Sequence, residues 1–210
     1  MSKYRKEQKP SKSCSFELSL FLLLKIDRFG QARVLSSDEL DQIIDEIPAG
    51  PHRVLANLLR RTSARVSEGL ALQWKHIGQD SILFPAPVTK GGKKSRHVPL
   101  HPILAKELAE WRKQFKTPIN KDDWVFPGQN PYEHLSRQSF DYVLRKSAKQ
   151  IGLEGVSTHS FRRSFLTSAS HNGIALREIQ SISGHSDLGT LQRYLEVSES
   201  AKKNVVMASA

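Results

Sequence analysis

Apolar residues recur at helical spacing over most of the chain. Leu40, Ile43, Ile44 and Ile47 form one apolar stripe after Ser36-Ser37-Asp38-Glu39, whose Ser36 and Glu39 have the spacing of a capping box. Pro48 and the Gly50-Pro51 pair are predicted to end this helix. Further helices are predicted at residues 54–59, 67–72, 101–116, 136–151 and 186–195. Two more helices are predicted before the last of these, one ended by Asn172-Gly173 and the other by Gly184.

The pattern changes between residues 74 and 100. Short β-type runs at 81–84, 87–89 and 96–100, with Gly91-Gly92 between the last two, predict a hairpin. The sequence therefore predicts a mainly α-helical domain with a small three-stranded antiparallel β-sheet.

The charge of the chain is the compositional feature that changes this picture. Among 210 residues, 32 Lys and Arg face 21 Asp and Glu, which gives a formal net charge of +11. Such a chain is typical of nucleic-acid-binding proteins, although a merely basic soluble protein fits the charge equally well. The single cysteine, Cys14, excludes an intrachain disulfide, and no Cys/His cluster has the spacing of a zinc site.

Residues 1–33 form a basic and apolar N-terminal extension. Five Lys and Arg side chains precede an apolar run at 18–24, an order that resembles a signal peptide. Lys25, Asp27 and Arg28 follow the run where small residues would mark a cleavage site. The run is also far shorter than the roughly 20 residues that cross a bilayer. We interpret it as a packed segment of a protein that acts in the cytoplasm, away from membranes.

Two short stretches near the C-terminus carry the side chains of chemical interest. His159 and Arg162 are three residues apart, so a helix places them on one face, where they can hold a phosphate. His185 lies in the turn after Gly184, and Tyr194 lies beside the apolar stripe of the last helix. Each spacing alone is weak evidence, because a solvated helix face explains the first pair and a boundary tyrosine explains Tyr194.

Together with two earlier motifs, these stretches resemble the tyrosine recombinase (phage integrase) family. The family pattern has an Arg in its first half, a hairpin Lys, a His-x-x-Arg, a Gly-His, and a Tyr nine residues after that His. The matching residues here are Arg65, Lys90, His159, Arg162, His185 and Tyr194. The resemblance covers about residues 34–200. It predicts a catalytic domain at 34–197 and a C-terminal tail at 198–210, which is either exchanged between protomers or packed on its own domain.

The chain departs from the family pattern at several positions. Ser63-Ala64 stands where the family usually has Gly and a larger apolar residue, and Gly69 stands where Leu is more frequent. Lys93 and Lys94 share the hairpin with Lys90, so they remain alternatives to it. Most members also carry a helical core-binding domain, for which the first 33 residues are too few. A natural short member, a fragment and a decayed gene all fit this observation.

The resemblance implies strand cleavage by transesterification. Tyr194 would attack a DNA phosphodiester to give a 3′-phosphotyrosine and a free 5′-hydroxyl. Arg65 and Arg162 would clamp the phosphate as negative charge develops on its oxygens, and His185 would donate to the same oxygens. One phosphodiester is exchanged for another, so neither a cofactor nor a metal ion is expected.

The remaining groups of the resemblance serve proton transfer and DNA binding. His159 would accept the nucleophile's proton, and Lys90 would protonate the leaving 5′-oxygen. Glu68 is expected to orient Arg65 or to cap a helix. Basic residues of the helix after Ser136 are expected to contact the DNA backbone or to solvate the outer face; they are Arg137, Arg145, Lys146 and Lys149.

The sequence thus predicts a site-specific DNA recombinase. Its partner would be double-stranded DNA. It would be a monomer or weak oligomer in solution and would act as a homo-tetramer on paired DNA sites. One alternative is a DNA-binding relative that regulates without cutting, and another is a type IB topoisomerase-like relaxase. Tyr194 argues against a pure binder, and the nine-residue spacing from His185 favours the recombinase.

Overall fold

The computed structural model describes residues 31–86, 94–130 and 132–192, together with Met207. Ten elements follow one another in these ranges, with a 3₁₀ turn at Trp74–His76. They are α1 (Ser37–Glu46), α2 (Pro51–Thr62), α3 (Val66–Leu70), β1 (Ser81–Phe84), β2 (Arg96–Pro99), α4 (Pro102–Lys113), α5 (Arg137–Gln150), α6 (Thr158–His171), α7 (Leu176–Ser183) and α8 (Leu188–Gln192). The mainly helical prediction is confirmed.

The start of α1 follows the predicted capping box. The Ser36 hydroxyl accepts a hydrogen bond from the Glu39 amide at 3.2 Å, and the Glu39 carboxylate accepts one from the Ser36 amide at 2.9 Å. Ile43, Ile44 and Ile47 are buried, as the apolar stripe requires. The helix is thus specified by contacts between residues close in sequence.

The boundary between α1 and α2 corrects one prediction. α1 ends at Glu46, but the Gly50-Pro51 pair begins α2 instead of ending α1, with Gly50 as N-cap and Pro51 as the first residue. Proline suits this position because its ring sets a helical φ and its missing N–H would have no partner there. Helix α2 therefore starts three residues before the predicted Val54.

The sheet of the described residues has two antiparallel strands. Ser81 lies opposite Pro99, and Phe84 lies opposite Arg96. Ile82, Phe84 and Val98 are buried, so one face of the hairpin packs on the core. The predicted third strand, residues 87–89, lies outside the described residues.

Two hydrophobic clusters hold the domain together. The larger is built around α2, whose Leu55, Leu58 and Leu59 are fully buried, and it extends to Phe140 and Phe161. The smaller joins α6, α7 and α8 through Leu166, Ile179 and Leu191. Helix α8 is thereby packed against α6, the helix that carries His159 and Arg162.

The chain enters the domain along α6. The Leu35 amide donates to the Ser164 hydroxyl at 2.7 Å, and Arg163 donates to the Ala32 carbonyl at 3.0 Å. The predicted apolar run at 18–24 and nearly all of the predicted tail lie outside the described residues. No helix in the described ranges is both long enough and apolar enough to cross a bilayer.

Candidate active site

Arg162 lies inside the domain, with only 2% of its surface exposed. Its Nη1 donates to the Ser63 carbonyl, and its Nη2 donates to the Ser183 carbonyl at 2.8 Å. Ser63 caps the C-terminus of α2 and Ser183 is the last residue of α7, so the guanidinium lies where two helices present negative dipole ends. The alternative of an ordinary solvated helix face is wrong for Arg162.

Ser63 reaches Arg162 through an unusual backbone conformation. Its φ is 55°, in the left-handed region that glycine enters most easily. The Ser63 side chain is buried, while its carbonyl accepts from the arginine. This is the position where the family pattern usually has glycine, so the chain keeps the turn with a less suitable residue.

His185 packs directly against Arg162. It follows Gly184, which ends α7 with a φ of 67°, and it is 6% exposed. Its Nε2 lies 3.1 Å from Arg162 Nη2, and its Nδ1 lies 2.7 Å from the Ser183 hydroxyl. The predicted turn after Gly184 is confirmed, and it brings the imidazole to the buried guanidinium.

The surroundings of His185 keep its ring neutral at pH 7. Burial lowers the pKa of His185 to about 4, and the charges of Arg162, Arg65 and Arg96 act in the same direction, while Asp187 partly opposes them. A neutral imidazole carries a single N–H. When the Ser183 hydroxyl donates to Nδ1, that N–H lies on Nε2, from which it can be donated to an incoming group without adding a further positive charge.

A fully buried carboxylate, Glu68, joins two arginines. It accepts from Arg65 Nη1 at 2.8 Å and from Arg96 Nη2 at 2.7 Å, and it also accepts from the Arg65 amide at 2.9 Å. Burial alone would raise the pKa of Glu68, but the hydrogen bonds and charges of Arg96 and Arg65 outweigh it and hold the pKa below its ordinary value. The expected contact between Glu68 and Arg65 is present.

Arg96 is the residue that sequence reasoning missed. Its guanidinium lies 4.4 Å from the centre of the Phe84 ring, and its Nε donates to the Ile182 carbonyl at 3.1 Å. A signal was present, because Arg96 is two residues from the buried Val98 and so belongs to the inward face of β2. A charged residue at an inward strand position needs a partner, which here is Glu68.

The six predicted site residues fall into three groups. Arg65, Arg162 and His185 come together, since both arginines act on the pKa of His185 and Arg162 contacts its ring. His159 is exposed on the first turn of α6. Lys90 and Tyr194 lie outside the described residues.

Helix α8 is the last described element before Tyr194 in the sequence, and its Leu191 is fully buried. The helix starts two residues later than the predicted Ser186, because the Asp187 carboxylate accepts from the Thr190 amide at 2.7 Å and caps it.

A model of the phage integrase family matches residues 33–201. The chain belongs to the phage integrase family. It is similar to the tyrosine recombinase XerD of Bradyrhizobium diazoefficiens, with 32% identity over 183 residues that cover 80% of this chain and 57% of the relative. It is 30% identical over 190 residues to XerD of Listeria monocytogenes, covering 84% of this chain and 62% of that protein. It thus spans less than two thirds of these relatives.

Solved structures of tyrosine recombinases share the fold. The crystal structure of XerA recombinase has a TM-score of 0.68 at 23% identity and covers 94% of this chain and 72% of that one. XerH recombinase in a pre-cleavage complex with its difH substrate has a TM-score of 0.63 at 24% identity, covering 77% of this chain and 49% of XerH.

Gly69 is a second departure from the family pattern that the structure explains. A Cβ at this position would lie 3.0 Å from Leu55 Cδ1 and 3.3 Å from Leu58 Cδ2. Helix α3 therefore approaches α2 more closely than a leucine would allow in this member of the phage integrase family. The core of this chain has compensated for the small residue by closing around it.

The basic residues predicted on α5 differ in their surroundings. Arg137, Lys146 and Lys149 are exposed, whereas Arg145 is partly buried and donates to the Asp141 carboxylate at 2.8 Å. Because Arg145 is paired with a carboxylate on its own helix, it attracts a phosphate less strongly than an exposed, unpaired arginine would.

The arrangement is suited to binding an anion. Three guanidinium groups, those of Arg65, Arg96 and Arg162, surround a single carboxylate and a neutral imidazole, which leaves an excess of positive charge. Among the described residues, Glu68 occupies only Nη1 of Arg65, so the two other nitrogens of this partly exposed side chain face no protein acceptor. A phosphate oxygen can bind there.

Proposed function

We propose that the chain is the catalytic part of a site-specific DNA recombinase that cleaves and rejoins strands through a 3′-phosphotyrosine on Tyr194. The observation that supports this most is the meeting of Arg65, Arg162 and His185, which come from three separate segments. The packing of helices alone does not explain why two guanidinium groups lie around a neutral imidazole. Stabilisation of a phosphodiester that gains negative charge on its oxygens explains this arrangement.

The two arginines have different tasks in this proposal. Arg65, with 23% of its side chain exposed, binds the scissile phosphate directly. Arg162 is held by two carbonyls, so it contributes a fixed positive charge beside the phosphate and fixes the ring of His185. That ring donates its one N–H to a non-bridging oxygen. The carbonyls around Arg162 and the carboxylate of Glu68 hold these side chains, so little reorganisation is required during the reaction.

Proton transfer completes the step. The hydroxyl oxygen of Tyr194 forms a bond to phosphorus while its proton passes to His159, and the bond from phosphorus to the 5′-oxygen breaks. Lys90, or Lys93 in the same hairpin, gives a proton to that 5′-oxygen. Attack by the 5′-hydroxyl of another strand reverses each transfer, so no redox partner, nucleotide or metal ion enters the balance.

Assembly follows from the exchange of partners. We place double-stranded DNA against the exposed cations of α5, which are Arg137, Lys146 and Lys149. Strand exchange between two sites requires four active sites, so the acting form is a homo-tetramer on paired sites that forms from a monomer or weak oligomer. Residues 198–210 are proposed to pass to a neighbouring protomer. This reaction takes place on DNA in the cytoplasm.

Trapping of the covalent intermediate tests the proposal. The protein is incubated with nicked suicide duplexes drawn from DNA flanking its gene, and adducts are resolved on denaturing gels. Tyr194→Phe is expected to bind DNA but form no adduct, whereas the matched control Tyr142→Phe, at a residue 69% exposed on α5, forms it normally. A normal adduct from Tyr194→Phe contradicts the assignment. Binding without any adduct from the unchanged protein supports the regulatory alternative.

A sulfur-substituted substrate identifies the general acid. A 5′-phosphorothiolate leaves without needing a proton, so it is expected to rescue Lys90→Ala in part. Rescue of Lys93→Ala but not Lys90→Ala would move the role to Lys93. Relaxation of a supercoiled plasmid without partner exchange would favour the topoisomerase-like alternative.

A further inference from the structure

Arg96 connects three parts of the site although it is not one of the six residues of the family pattern. It is the first residue of β2, on the strand that follows the candidate lysines 90 and 93 in the sequence. Its side chain is 9% exposed and lies over the ring of Phe84, its partner on β1. The guanidinium is thus fixed by the hairpin on which it stands.

The same guanidinium reaches the segment that carries Arg65. Arg96 Nη2 donates to Glu68 Oε2 at 2.7 Å, while Arg65 Nη1 donates to Glu68 Oε1 at 2.8 Å. The two arginines therefore hold opposite oxygens of one buried carboxylate. Because Glu68 is fully buried, it cannot turn to water if one partner moves.

Arg96 also reaches the segment that carries His185. Its Nε donates to the Ile182 carbonyl at 3.1 Å, near the end of α7. A Cβ on Gly184 would lie 3.2 Å from both Cδ and Nη1 of Arg96, so the turn before His185 rests on the guanidinium. A shift of Arg96 would displace this turn.

We propose that Arg96 is a positioning residue for the phosphate-binding groups, which orients Arg65 through Glu68 and supports the turn that carries His185. The inference rests on the proposed function. Arg96 itself does not contact the substrate.

Two substitutions separate this role from direct phosphate binding. Arg96→Lys keeps the charge, but an ammonium lacks the planar fork that holds Glu68 and the Ile182 carbonyl together, and Arg96→Met removes the charge as well. Single-turnover cleavage of the nicked duplex is expected to slow about 10-fold for Arg96→Lys and about 10²-fold for Arg96→Met, the scale for misplaced reacting groups. DNA affinity should stay within about 3-fold for both.

The 5′-phosphorothiolate substrate shows which step Arg96 supports. Because Arg65 and His185 act on the phosphate oxygens and not on the leaving 5′-oxygen, the sulfur substrate should recover none of the rate lost in Arg96→Met, and recovery of that rate would overturn the proposal. Arg60→Met is the matched control, because Arg60 pairs with Asp41 and not with Glu68, so this variant should cleave normally. Loss of DNA affinity without rescue would show that Arg96 binds phosphate and overturn the proposal.

A measurement without DNA keeps the test independent of catalysis. In an NMR titration, Arg96→Lys is expected to change the chemical shifts and titration midpoint of His185 but leave those of His52, which contacts Ser139, unchanged. If the unchanged protein forms no adduct, the proposed function fails while this coupling can still hold. An unaltered His185 signal in both Arg96 variants overturns the coupling whatever the activity.

Discussion

Acid should weaken this fold through one imidazole in the site. The pKa of His185 is about 4 in the folded chain, against an ordinary 6.5. Below pH 6.5, His185 therefore becomes protonated in the unfolded chain, whereas in the folded chain it remains neutral until the pH falls to about 4. The stabilisation is present above pH 6.5 and is lost as the pH falls from 6.5 to 4.

The size of the effect follows from the two pKa values. At about 1.4 kcal/mol for each tenfold difference in proton affinity, the loss is about 2 kcal/mol at pH 5 and about 3 kcal/mol at and below pH 4. For a domain of this size, 2 kcal/mol corresponds to a Tm lower by about 4–8 °C. A change of that size is readily measured.

Urea unfolding at pH 7, 6 and 5 provides the assay, with His185→Gln as the comparison. Glutamine retains hydrogen bonding but cannot be protonated, so the variant should lose less stability between pH 7 and pH 5 by about 2 kcal/mol. Comparison with the variant is necessary because burial also lowers the pKa of His52 and His76. An NMR midpoint for His185 near 6.5, or equal acid sensitivity of both proteins, would refute the reasoning.

Other substitutions test the remaining features. Ser63→Gly should stabilise the fold by about 1 kcal/mol in urea unfolding, because glycine adopts the left-handed φ without strain. Gly69→Leu should destabilise it by about 1–3 kcal/mol in the same assay, since the core has closed around the glycine. Arg65→Ala and Arg162→Ala should each slow single-turnover cleavage by about 10² or more, and Arg162→Ala should also lower the free energy of unfolding by about 2–3 kcal/mol. Deletion of residues 199–210 should leave DNA affinity within a few-fold in gel shifts but impair strand exchange; full-rate recombination by the truncated protein would exclude the tail as the coupling element.

Local signals predicted the parts of the fold that neighbouring residues determine. The capping box of α1 and the glycine that ends α7 each depend on residues within a few positions, and both are present. The Gly50-Pro51 pair is ambiguous in the sequence, because the same pair can follow one helix or begin the next. Only the packing of α2 against the core decides between these outcomes.

The site was harder to predict where its contacts are distant in sequence. Arg162 donates to the carbonyl of Ser63, which lies 99 positions earlier in the sequence, and helical spacing does not predict that an arginine is buried there. Arg96 meets Glu68 across 28 positions because β1 and β2 pair as they do. The motifs indicated which residue types to expect, while the burial that fixes their charges and pKa values depends on the assembled helices.

The burial of Arg162 has a consequence for the history of such proteins. Its guanidinium holds the C-terminal ends of α2 and α7 together, so selection for a folded domain preserves this arginine even after strand cleavage is lost. Genetic drift in a silenced lineage would erase the exposed His159 sooner than this buried arginine. The presence of the buried arginine in a relative therefore reports a folded descendant, and an intact solvent-facing histidine is the better sign that cutting is still under selection.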